Sequence, residues 1–166
     1  DNDPPKSILS VAGEDGKEAP VPFLPHDDDR LEGDNPALGL IAPINQSQLG
    51  RLFVGKYKTF EYDIAMEGNN MRSMSTVAAG LWPVPDGAVV RELTRRAGLD
   101  YSSMSSTERA PYANDMLDRI DTKEIGKGLY AQAFADALVD LREDFVVPEY
   151  IRLAIIWACG IEGQAE

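Results

Sequence analysis

Apolar and polar positions repeat along this chain with two different periods, and the change between them is most legible over residues 46–83. Leu49, Leu52, Phe53 and Tyr57 share one face of a helical repeat, with Asn45 placed to cap it and Gln48 in the capping-box position. Phe60-Glu61-Tyr62-Asp63-Ile64-Ala65-Met66 then alternates, which predicts a strand. Gly68-Asn69-Asn70 turns the chain into a second helix, whose buried stripe is Met71, Met74, Ala78 and Leu81 and whose end is Trp82-Pro83. A methionine stripe at this spacing reads as core packing rather than a cofactor box.

The flanks follow the same logic. Ser7-Ile8-Leu9-Ser10-Val11-Ala12, stopped by Gly13, predicts a short buried strand, and Gly13 to Pro20 is a loop by composition. Its place after a first strand is where α/β proteins hold their ligands. Residues 21–43 are proline-rich and acidic, which predicts irregular exposed structure. Downstream, Asp86 opens a helix through Val89, Val90, Leu93 and Ala97 that Gly98 closes. Residues 101–108 read as a loop, Pro111 as the first turn of a short helix with Tyr112, Met116, Leu117 and Ile120, and Thr122 as the cap of a longer one. That longer helix carries Tyr130, Phe134, Leu138, Leu141 and Phe145. Pro148 starts a last helix to Cys159 that is apolar nearly all round and must be buried, either inside its own fold or against another polypeptide.

These elements predict an α/β fold in a single domain spanning 1–166. It comprises a loose lead-in at 1–6, an α/β part at 7–100 built on a strand-helix-strand-helix core, and a mainly helical part at 101–166. The chain shows no internal repeat. At 166 residues and 43% hydrophobic it can bury a core of its own. A net charge of −12 has the wrong sign for a nucleic-acid backbone or an anionic membrane surface. No apolar run reaches the roughly 20 residues of a membrane span, and a first residue of Asp points to a mature, processed or excised chain.

Candidate chemistry is sparse. Cys159 is the single cysteine, can form no internal disulfide, and on an apolar helix reads as a buried inert thiol. Asn45-Gln46-Ser47 is a glycosylation triplet that favours the secretory pathway, extracellular or lumenal, although a capping role for Asn45 turns its side chain toward backbone amides. The only histidine, His26, stands beside Asp27-Asp28-Asp29, which reads as a solvated acidic loop because adjacent carboxylates need a shaped backbone to converge on a cation. Asn70 and the amides after it, with Arg72, offer a helix N-terminus to a small anion. No metal or cofactor is expected.

Three stretches together resemble the histidine acid phosphatases, or branch-two histidine phosphatases. Gln46, Leu49-Gly50, Lys56 and Tyr57 stand in the order of the family's Q…L-G, basic residue and Tyr, and Ala79-Gly80-Leu81-Trp82-Pro83 is similar to its A-G-L-F-P helix end. Between them, Asp63 and Asn69 fall where the resemblance places functional arginines, with Ser73 at matching spacing. The catalytic loop R-H-G-x-R-x-P falls on Glu14 to Pro20, where only Gly16 and Pro20 match. The resemblance thus implies a degenerate, catalytically incomplete member with an incomplete histidine-phosphatase-like fold, whose pocket holds Glu14, Asp15, Gly16, Glu18, Asp63 and Asn69.

Phosphoryl transfer through an enzyme histidine needs an imidazole and several cations on the phosphate oxygens. Asp15 replaces the nucleophile, and Glu14 and Glu18 replace arginines, so an anion receptor becomes an anion repeller. Losing the nucleophile alone costs about a million-fold in rate. The sequence therefore predicts a non-catalytic interaction or structural subunit that contacts a partner through the last helix, by Ile151, Ile155, Ile156 and Trp157. Two alternatives stand beside it: a hydrolase with an atypical acidic, metal-assisted site around Glu14, Asp15, Glu18 and Asp63, or one chain of a processed two-chain phosphatase.

Overall fold

A computed structural model describes residues 10–12, 18–20, 36–46, 50–57, 59–122, 124–141 and 144–161. The β-structure among them is one antiparallel ribbon, β1 (Ser10–Ala12) with β2 (Glu18–Pro20), in the register Ser10↔Pro20, Val11↔Ala19 and Ala12↔Glu18. The remaining elements are helices: α1 (Pro36–Gly39), α2 (Ile41–Asn45), α3 (Phe60–Met66), α4 (Asn70–Leu81), α5 (Ala88–Ala97), a 3₁₀ turn at Tyr101–Ser103, α6 (Ser106–Ile120), α7 (Lys127–Leu141) and α8 (Glu149–Ala158).

The expected α/β class is therefore wrong, and α3 is where it fails. Residues 60–66 form a helix, not a strand. The Thr59 hydroxyl accepts the Tyr62 N–H at 3.2 Å, and Glu61 and Asp63 in the first turn favour a helix N-terminus. The alternation that suggests a strand is incidental, because Tyr62, Asp63, Ile64, Ala65 and Met66 are all buried. With residues 60–66 helical, the expected strand-helix-strand-helix core loses its second strand, and among the described residues no sheet forms beyond the β1–β2 ribbon.

The helix expected over 45–57 is also absent where the chain is described. Asn45 ends α2 instead of opening a helix, and its Oδ1 accepts the Leu52 N–H at 2.8 Å. Residues 50–57 run irregularly and carry Gly50 and Gly55, both costly in a helix interior. Residues 47–49, the lead-in at 1–6, the start of the first strand at 7–9, the loop at 13–17, and residues 21–35 with His26 and its acidic neighbours lie outside the described residues.

From α4 onward the periodic reading holds better. Met71, Met74 and Ala78 are buried on α4, which packs against α3, α5, α6 and α7 and so forms the hub of the molecule. Leu93 from α5, Met116 and Ile120 from α6, and Tyr130 and Phe134 from α7 close around it. Gly98 stands at the α5 C-cap, with Arg95 and Arg96 in the last turn facing the negative end of the helix dipole. Arg96 also reaches Glu92 at 2.6 Å and Asp115 at 2.5 Å while lying over the Tyr112 ring, which ties α5 to α6.

Two boundaries move. α6 starts at Ser106, with Ser105 and Glu108 forming a reciprocal capping box, so Pro111 sits inside the helix rather than in its first turn, and the expected 101–108 loop is largely a 3₁₀ turn and a helix start. Thr122 does not open α7; its hydroxyl donates to the Arg119 carbonyl at 2.7 Å and closes α6. Among the described residues no helix is long and apolar enough to cross a membrane.

Candidate functional site

Two surfaces could meet a second molecule: a polar cleft at the head of α4 and the outer stripe of α8. The cleft begins with Gly68, whose φ of 44° reverses the chain between α3 and α4. Asn69 follows at the N-cap, but its Oδ1 accepts the N–H groups of Tyr101 at 2.8 Å and Ser102 at 3.0 Å, pinning the 3₁₀ turn beside the helix. Asn70 is buried, and its amide donates to the carbonyls of Ile64 at 3.0 Å and Val146 at 2.7 Å while accepting the Val146 N–H at 2.8 Å. Asn70 is thus a clamp between the end of α3 and the segment before α8, and its amide is spent on protein rather than offered to an anion.

Arg72 is exposed one turn along, with Nε donating to the Ala97 carbonyl at the end of α5 (3.1 Å). The resulting cleft, about 470 Å³, is lined by Gly68, Asn69, Arg72, Ser73, Thr76, Ala97, Ser102, Asp144 and Val146. Thr76 donates its hydroxyl to the Arg72 carbonyl at 3.0 Å, and Ser102 donates its own to Asp100 at 2.6 Å. That hydroxyl, with further bonds from Asn69 and Ser103, holds the Asp100 carboxyl below its ordinary range.

The six residues of the expected degenerate pocket are not gathered into one site among the described residues. Glu14, Asp15 and Gly16 lie outside them, and Glu18 is described only as backbone of β2. Asp63 is 4% exposed on α3 and accepts the Tyr57 N–H at 3.0 Å. Gly55 presses on the same carboxylate, so that a Cβ there would stand 2.7 Å from Asp63 Oδ2. Asp63 thereby anchors the irregular 50–57 segment, whereas Asn69 lines the cleft. Beside Gly55 lies Tyr150 of α8, whose phenol is pushed up to about 12 by burial and then by the charges of Asp63 and Glu61. No group of three or more His, Cys, Asp or Glu among the described residues is placed to hold a metal ion.

The last helix departs from its expected burial. None of its residues is buried. Its inner side meets the 50–57 segment, with Trp157 and Phe53 rings 6.2 Å apart and Tyr150 against Gly55. Ile151, Ile156 and Trp157 are half-buried, while Ile155 is 55% exposed on a face shared with Arg152, Ala158 and Cys159. Cys159 is exposed, not a buried thiol, and no other described helix packs broadly against α8. Asn45 is exposed at the end of α2.

Sequence reasoning finds Asn69 and Arg72 of the cleft from the turn and helix start, and passes over Thr76, one turn beyond Arg72 on the same helix, and Ser102 and Asp144, which reach it from segments whose packing no local pattern reveals. No family model, curated protein or solved structure matches the chain, and its function is argued from its own geometry.

Proposed function

We propose that this chain is a non-catalytic interaction or structural subunit that engages a protein partner through α8. The observation that carries this reading is a helix of sequence Glu-Tyr-Ile-Arg-Leu-Ala-Ile-Ile-Trp-Ala with no buried residue and Ile155 more than half exposed. Apolar side chains presented by a helix recover free energy when a partner covers them, about 2 kcal/mol for one isoleucine. The charges beside them, Glu149 and Arg152, are paired with each other at 2.6 Å and so leave the stripe without an unpaired charge from that pair. A rim of paired charge beside an apolar centre matches the composition of protein interfaces. The acidic-site hydrolase has no observation to favour it, since Asp63 is engaged with the backbone of 55–57.

Cys159 lies on the exposed face and is the single thiol, which makes it the place for a photo-crosslinker. Crosslinking in the native source is expected to give one discrete adduct that disappears with Ile155→Lys, while the variant keeps its helical content. Adducts that are diffuse, or unchanged by Ile155→Lys, would overturn the reading. Intact mass of the adduct separates an unrelated partner from a second chain of the same protein.

A further inference from the structure

We propose that the cleft at the head of α4 binds a free α-amino acid, the α-carboxylate at Arg72 and the α-ammonium at Asp144. Both side chains line the same cleft, yet neither forms an ion pair with the other or with another described residue. Arg72 spends Nε on the Ala97 carbonyl, and its two terminal nitrogens make no hydrogen bond to a described residue. A guanidinium fork with its end open is shaped for a carboxylate.

A second feature points to a ligand independently. Ser73 lines the cleft at 9% exposure, and its hydroxyl bonds to no described residue. That hydroxyl opens onto the cleft, where it can donate to or accept from a bound polar molecule. The neighbouring hydroxyls have already given their protons away, Thr76 to the Arg72 carbonyl and Ser102 to Asp100. Among the described residues that line the cleft, the groups left uncommitted are one cation, one anion and one hydroxyl donor.

That set selects against simpler ligands. Phosphate or acetate meets the carboxylate of Asp144, and an amine alone meets Arg72, so each single charge gains one favourable contact and one unfavourable one. A molecule carrying both charges satisfies both. A volume of about 470 Å³ leaves room for its side chain.

The test is an amide-shift titration of the ¹⁵N-labelled chain with glycine, L-alanine, L-serine and L-glutamate, against acetate, methylammonium and inorganic phosphate. Saturable shifts at Gly68, Ser73, Ala97 and Ser102 are expected with at least one amino acid, with each single-charge probe at least about tenfold weaker. Asp144→Asn is expected to weaken the amino acid about tenfold, with the melting temperature unchanged. The proposal is overturned by shifts that do not saturate by about 10 mM, by acetate or phosphate binding as well as the amino acid, or by full affinity in Asp144→Asn. Should that variant misfold, the ranking of probes on the native chain decides.

Discussion

Asn70 shows how one side chain can hold distant parts of this molecule together. Its amide joins the end of α3 to Val146, 76 residues further along the chain. Removing it leaves the Val146 N–H and two carbonyls without their partner, so Asn70→Ala is expected to destabilise the fold by about 3 kcal/mol, read from urea unfolding. Asn70→Asp, which keeps an acceptor for Val146 but turns a donor toward two carbonyls into a negative charge, is expected to lose at least as much. A variant within about 0.5 kcal/mol of the native chain would show that the clamp is dispensable. Sequence places Asn70 at a helix start and so suggests an anion contact; its real partners come from the segment before α8, which no local pattern announces. Asp63 is a parallel case, a carboxylate whose neighbours Gly55 and Tyr57 become visible only once the chain has folded back.

Among the elements, those stabilised by their own residues are the ones that sequence reads well. α4 shows its buried stripe at helical spacing, α5 buries Leu93 with Val89, Val90 and Ala97 half-buried, and Gly98 closes α5 where expected. α3 is misread because burial on all sides erases the amphipathic signal, leaving a seven-residue segment that either period can fit. In α6 the proline draws attention to the wrong position, while Ser105 and Glu108 carry the start. Ser105→Ala removes the two bonds of the hydroxyl, the one it accepts from the Glu108 N–H and the one it donates to the Glu108 carboxylate, leaves the Ser105 N–H to Glu108, and is expected to cost about 1 kcal/mol. Glu108→Gln, which preserves the bond to the Ser105 amide, is expected to cost less. Thermal melts of the two variants check the order, and an equal loss in both would shift the stabilisation from the hydrogen bonds to the charge at the helix end.

Across the whole molecule, Tyr62, Tyr130 and Tyr150 resist ionisation in the folded state. Burial raises Tyr62 and Tyr130 and, aided by two carboxylates, takes Tyr150 to about 12 from an ordinary 10.0. A group whose folded value lies above its unfolded one gives stability that is complete below the unfolded value and is lost as pH rises toward the folded one. The chain is therefore expected to lose stability from about pH 10 to about 12. Phenolate absorbance and far-ultraviolet circular dichroism should change together over that range, and full ionisation near pH 10 with the helices intact would contradict it. What sequence conveys at this scale is charge, a single apolar core and the absence of spanning segments; the arrangement around α4 depends on long-range packing that composition does not encode.

α8 stands outside the main helix pairings, held at Trp157 against Phe53 and at Tyr150 against Gly55 and the carboxylate of Asp63. Phe53 and Gly55 both belong to irregular chain, so the helix and residues 50–57 are expected to act as one cooperative unit that can open while the α4 hub stays closed. Amide hydrogens of 151–158 should then exchange by local opening, at a free energy well below that of global unfolding. A helix mounted in this way is able to change its pose without costing the rest of the protein its fold, which suits the partner contact proposed for it.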